Sequence, residues 1–102
     1  MEITWQAHHA VISDRLRARA TEGIGKVAKR VDGATGATIR FEREGTRCRV
    51  EVILRVRRKA MVAEGHGRYY GPALAVALSH LSRQVASEKR TARDRAARAG
   101  QA

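Results

Sequence analysis

Residues 47–57 read Arg-Cys-Arg-Val-Glu-Val-Ile-Leu-Arg-Val-Arg, and the alternation in this stretch decides the fold. Cys48, Val50, Val52, Leu54 and Val56 fall on one side of an extended chain; Arg47, Arg49, Glu51, Ile53, Arg55 and Arg57 fall on the other. Successive side chains of a strand point to opposite faces, so this segment is a strand with one side on a core and the other toward water. One-sided strands belong to a sheet that is covered on a single face.

The same pattern extends outward in both directions. Ala37, Ile39 and Phe41 alternate with Thr38, Arg40 and Glu42, and the turn signal Glu44-Gly45 makes this strand antiparallel to the next. Downstream, Arg58-Lys59 predicts a turn into a fourth strand with Met61 and Ala63 inward, ending at Gly65-His66-Gly67. At the start, Ile3, Trp5 and Ala7 alternate with Glu2, Thr4 and Gln6 in a short first strand.

Two segments carry the helical period instead. Ser13 is placed as an N-cap, with Asp14 favourably set against the helix dipole. Leu16, Ala20, Ile24, Val27 and Val31 then recur at spacings of four and three. Gly23 and Gly25 each cost about 1 kcal/mol relative to alanine in a helix, so tertiary packing has to hold this one. Asp32-Gly33-Ala34-Thr35-Gly36 reads as the turn that ends it. Gly71-Pro72 opens the last helix, whose stripe is Leu74, Leu78, Leu81 and Val85, backed by Ala73 and Ala77. Beyond Val85 no large apolar residue follows, so the basic stretch Ser87–Arg98 favours helix but has nothing to bury.

The predicted fold is α+β in the order β-α-β-β-β-α. It has a four-stranded mixed sheet, a right-handed first crossover, and two helices packed on one face. A chain of 102 residues suits one core, and 43% hydrophobic content with 30% charged residues argues against disorder. Residues 1–93 are read as one domain and 94–102 as a basic tail expected to fray. The open sheet face, with Arg40, Arg49, Arg55 and Arg57, is expected to meet water or a ligand.

The charge is lopsided at +11, and it is not spread evenly. Met1–Gly45 carry eight basic and six acidic residues, Thr46–Arg68 seven and two, Tyr69–Ala102 six and two. A positive field of this size attracts polyanions, nucleic acid first and an anionic membrane surface second. Cys48 is the only cysteine, which excludes an internal disulfide and suits a reducing compartment. The opening residues show no signal peptide, and no apolar run approaches the roughly 20 residues of a membrane span. A soluble, cytoplasmic protein without membrane contact is expected.

Catalysis finds little support. His8, His9, Cys48, His66 and His80 are the candidate bases or ligands. His8 and His9 are adjacent and would point to opposite faces of a strand, and Cys48 falls on the core face. No Cys-x-x-Cys, His-Glu-x-x-His or phosphate-loop pattern is present, and Gly65-His66-Gly67 reads as a flexible connection into the last helix. The expectation is no catalytic residue, no metal, no cofactor and no small-molecule substrate.

The basic rows are the stronger signal. His80, Arg83, Ser87 and Arg90 step by three, four and three along the last helix, with Lys89 and Arg93 beside them. Lys26, Lys29 and Arg30 project from the first helix, and two helices side by side are expected to join these rows into a basic groove. Lysine and arginine so placed contact phosphates, which supplies affinity and register rather than base specificity. Aromatic residues are few, and Trp5 and Phe41 fall on core faces, so recognition of folded RNA is favoured over base stacking.

The opening Met1-Glu-Ile-Thr-Trp-Gln-Ala-His-His-Ala-Val-Ile-Ser-Asp-Arg-Leu-Arg17 resembles the start of the ribosome hibernation-promoting factors and ribosome-associated inhibitors, the protein Y or sigma-54 modulation protein family. Ala60–Gly65 and Leu81-Ser-Arg-Gln-Val85 are similar to that family's fourth strand and its Leu-x-Arg-Gln-Leu helix segment, and Lys26 falls at its helix lysine. The likeness spans Met1 to Arg93 in the same element order. It implies binding to ribosomal RNA of the small ribosomal subunit, in the channel used by mRNA and tRNA, and inhibition of translation in stress or stationary phase. Lys26, Arg83 and Lys89 would be contact residues. This chain departs from the family at His80 and Ser87, where lysine is common, at Gly71, where tyrosine is common, and in the arginines Arg15, Arg17 and Arg19 of a helix that is commonly acidic. Long members carry a further dimerisation domain, so a short form, monomeric when free, is expected. The alternatives are a double-stranded-RNA-binding module, which would not need the first strand, and a regulatory protein-interaction domain that binds an acidic partner.

Overall fold

The computed structural model describes residues 1–100; Gln101 and Ala102, the end of the expected tail, lie outside them. The elements are β1 (Glu2–His8), α1 (Asp14–Ala28), β2 (Ala34–Glu44), β3 (Arg47–Val56), β4 (Lys59–Gly67) and α2 (Tyr70–Ala99). They form one sheet in the order β1-β2-β3-β4, with β1 parallel to β2 and the other pairs antiparallel. The predicted α+β fold and its order are the ones observed.

Residues 48–56 behave as their alternation requires. Cys48, Val50, Val52, Leu54 and Val56 are all buried, while the residues between them face out. Ile39 and Phe41 of β2 and Met61 and Ala63 of β4 join them. β1 is an edge strand, so Ile3 and Trp5 are only half-buried and Ala7 is exposed. Trp5 still stacks on Phe41 at 6.3 Å between ring centroids.

The helices close the core from one side. Ser13 caps α1, its Oγ accepting from the Leu16 N–H at 3.1 Å, and Ala20, Ile24 and Val27 are buried. Ala73, Leu74, Ala77, Leu81 and Val85 of α2 complete the layer. α1 and α2 run side by side in the same direction: Arg19 lies by Gly71, Gly23 by Leu78 and Arg30 by Ser82. Gly23 is therefore where Leu78 seats, whereas a side chain at Gly25 would meet nothing.

Several boundaries differ from the sequence reading. α1 ends at Ala28, leaving half-buried Val31 in the turn. β2 begins at Ala34, because Gly33 adopts φ +80° and the register shifts between Ala34 and Gly36. The β3–β4 turn is Arg57-Arg58, one residue earlier than expected. α2 opens at Tyr70, before Gly71-Pro72. Gly65-His66-Gly67 is not a loose connection. It is the paired end of β4, and Gly65 lies directly under α2. α2 then continues without a break to Ala99, in keeping with the helical preference of Ser87–Arg98, and every residue from Ser87 to Gly100 is exposed.

Candidate nucleic-acid interface

The open sheet face is not the free basic surface its arginines suggested. Cross-strand pairing sets Arg40 opposite Glu51 and Arg49 opposite Glu42. Arg49 donates to Glu42 at 3.2 Å, to Glu51 at 3.0 Å and to Glu64 at 2.6 Å. Arg40 pairs with Glu51 and donates to Gln6, and Arg55 donates to the Thr38 hydroxyl at 2.8 Å. Hydrogen bonding from Arg49, and then from His66, holds the Glu64 carboxyl below the ordinary carboxylate range. The charges of Glu42, Glu51 and Glu64 are thus neutralised on this face, which leaves the helix side with the excess of cations.

On the helix side the cations are mostly unpaired. Lys26 meets Glu22 one turn away at 3.2 Å, a pair so exposed that it holds little. Arg30 donates to Ser82 Oγ at 2.5 Å, which pins its guanidinium beside α2 without neutralising it. Among the described residues, Lys29, Arg30, Arg83, Lys89, Arg90 and Arg93 form no ion pair.

The expected single groove is divided in two. Leu78 and Ser82 face α1, and at 100° per residue Lys89 and Arg93 continue that side of α2. The row His80, Arg83, Ser87 and Arg90 lies on the order of 130° round the helix, toward the β4 edge and solvent. Lys26, Lys29 and Arg30 therefore share a flank with Lys89 and Arg93, and the other row stands apart. The cause is the seating of Leu78 on Gly23, which fixes the rotation of α2.

The β4 flank explains His80 and finds Gln84. His80 Nδ1 lies 3.0 Å from the Glu64 carbonyl, and Gln84 Nε2 donates to the Val62 carbonyl at 2.7 Å. Two side chains one helical turn apart thus occupy two carbonyls of an edge strand that would otherwise be open to another strand. Val62, Glu64, His66, His80, Arg83 and Gln84 line an open cleft here. Sequence reasoning missed the role of Gln84, because nothing local sets which residues of α2 lie over the β4 edge. It also reads Arg57 only as part of the open sheet face and Arg58-Lys59 only as a turn, although the three are consecutive cations at the hairpin tip.

Among the described residues, no group of three or more His, Cys, Asp or Glu side chains is placed to hold a metal, and no helix is long and apolar enough to cross a membrane.

The family model described as sigma 54 modulation protein / S30EA ribosomal protein matches residues 3–93. The chain belongs to this family. The match covers all four strands, α1 and α2 as far as Arg93. A ribosomal subunit interface protein from Coxiella burnetii has the same fold, with TM-score 0.81 and 16% identity over 88% of this chain and 99% of that one. The N-terminal domain of Thermus thermophilus protein Y matches with TM-score 0.73 and 20% identity, over 83% of this chain and 96% of that one. No curated protein shows a significant sequence match.

Proposed function

We propose that this chain is a cytoplasmic, non-catalytic hibernation factor that seats its helix side on ribosomal RNA of the small ribosomal subunit, in the mRNA and tRNA channel, and so blocks translation in stress or stationary phase. Family membership supplies the ribosomal context. The carrying observation is the separation of charge. Carboxylates neutralise Arg40 and Arg49 on the open sheet face, while among the described residues Lys29, Arg30, Arg83, Lys89, Arg90 and Arg93 form no ion pair on the helix side.

Unpaired surface cations are those that phosphates recruit with release of counterions. With Lys26 they make up the proposed phosphate contacts, and His80, whose Nδ1–H is taken by the Glu64 carbonyl, completes the contact set by offering Nε2 as an acceptor to a ribose hydroxyl. The contacts are to the sugar-phosphate backbone of folded RNA, because Phe41 is buried and Trp5 is stacked upon it rather than open to bases.

Sedimentation of purified small subunits with the protein tests this reading. Co-sedimentation at low salt is expected, and neutralising six or more phosphates implies a fall of about a thousandfold in affinity between ~50 and ~200 mM salt. Retention that does not change with salt, or no co-sedimentation at all, counts against it.

A further inference from the structure

The β3–β4 hairpin and the exposed part of α2 meet at one end of the molecule. The hairpin tip is Arg57-Arg58, between Val56 and Lys59, which form the last pair of the β3–β4 ladder. Lys59 Nζ makes an ion pair with Glu88, at the root of the exposed helical arm. On its other side the tip is tied to the α1–β2 turn. The Arg57 N–H donates to the Gly33 carbonyl at 3.1 Å, and the Arg57 side chain covers Gly33 so closely that a Cβ there would fall 2.6 Å from Arg57 Cγ.

Reversing the chain does not by itself call for these residues. Two-residue hairpin turns form most readily from Asn-Gly or other Gly-containing pairs, which accept positive φ. Here Arg57 adopts φ +23°, and the next two residues are also cations. Among the described residues neither Arg57 nor Arg58 has an ion-pair partner, whereas Arg40 and Arg49 of the same sheet both do. A strained turn that carries unneutralised charge points to a ligand rather than to folding.

The arm points the same way. From Ser87 to Ala99 it holds Lys89, Arg90, Arg93, Arg95 and Arg98 against Glu88 and Asp94, and Glu88 is taken by Lys59. Lys89 and Arg93 repel at a spacing of four, and no apolar contact offsets the repulsion. At 100° per residue Lys89 and Arg93 lie on the α1 side of the helix, Arg90 lies about 60° to 100° beyond them, and Arg95 and Arg98 lie on the far side. Cations on both sides suit a groove with phosphates on both walls, and they do not suit a flat surface.

We propose that the Arg57-Arg58 tip extends the helix-side contact set, at the α2 arm, into a phosphate-binding surface that grips the backbone of folded RNA at the end of the molecule where α1 and β3 finish. The proposal rests on the reading of this chain as an RNA binder, and it adds two hairpin residues that the helix-side contact set does not use.

The test is a salt titration of binding to protein-free small-subunit ribosomal RNA by the full chain, by R57Q/R58Q and by R57K/R58K. R57Q/R58Q removes two phosphate-binding cations. It should bind about tenfold more weakly near 0.1 M salt, with a slope of log K against log salt shallower by about 1.5. R57K/R58K keeps the charge and the strained turn, and should keep the wild-type slope. An unchanged affinity and slope in R57Q/R58Q overturns the proposal, and so does an equal loss in both variants, which would mark a folding defect. Sedimentation with intact small subunits separates the two readings. Tip-dependent binding to the RNA without co-sedimentation supports this surface and overturns the ribosomal address; no RNA binding by the wild type overturns both.

Discussion

Gly65 of β4 lies directly beneath Ala77 of α2: a Cβ at Gly65 would fall 2.6 Å from the Ala77 nitrogen and closer still to the Ala73 carbonyl oxygen. These are backbone atoms, which cannot swing aside as a side-chain end does. Gly65→Ala should therefore lift α2 from the sheet and destabilise the protein by about 3 kcal/mol, at the upper end for overpacking. At Gly67 the nearest atoms would be 3.5 Å from an added Cβ, so Gly67→Ala should stay within about 1 kcal/mol of wild type. Urea unfolding of the two variants compares them directly.

Gly25→Ala should stabilise the protein by about 1 kcal/mol, the difference in helix propensity, because its Cβ would meet nothing within 4 Å. Gly23→Ala should show no such gain, since its Cβ would collide with the Leu78 side chain and force it off α1. A higher thermal midpoint for Gly23→Ala than for Gly25→Ala would contradict the helix contact described above.

Arg49 holds three carboxylates together, and its removal leaves Glu42, Glu51 and Glu64 facing one another. Arg49→Ala should cost about 1 to 2 kcal/mol at neutral pH, a magnitude moderated by solvent at half-exposed Glu64. The Glu64 carboxyl is held below its ordinary value of 4.5, so its contribution is complete above that pH and is lost as pH falls through the lowered value. Stability curves of wild type and Arg49→Ala should converge in acid. Curves that stay parallel would show that the cluster carries no such linkage.

The Tyr70 ring packs edge-on against Phe41 at 5.7 Å, but its hydroxyl is buried with no hydrogen-bond partner among the described residues. Burial, followed by the neighbouring Cys48, raises its pKa above the ordinary tyrosine value. Tyr70→Phe keeps the ring contact and removes the unpaired hydroxyl, so stability at neutral pH should be unchanged or higher by up to about 1 kcal/mol. A loss above about 1 kcal/mol in thermal unfolding would require a partner for that hydroxyl.

Replacing Arg83, Lys89 and Arg90 together with glutamine should weaken binding to small subunits at least about tenfold and make the salt slope less steep. All three are exposed and form no ion pair among the described residues, so the unfolding midpoint should hold within surface-mutation limits of about 0.5 kcal/mol per site. Wild-type affinity in this triple variant would remove the helix side from the interface.

The element order and the inward faces of the strands were legible in the sequence, because burial on a pleated strand or a helix imposes a local period that 48–56, 37–41 and 74–85 display openly. So were the Ser13 cap and the total charge. Which cations remain free was decided only by the tertiary structure. Arg49 is neutralised because pairing brings Glu42 of β2 and Glu64 of β4 to it from either side, and that register depends on contacts far apart in the chain. The seating of Leu78 on Gly23 likewise rotates the row of His80 and Arg83 toward the β4 edge, and the need for glycine at position 65 arises only from the close approach of α2. Periodicity is a property of neighbours in sequence; ion pairing and close approach are properties of neighbours in space, and they alone turn a charge of +11 into a directed surface.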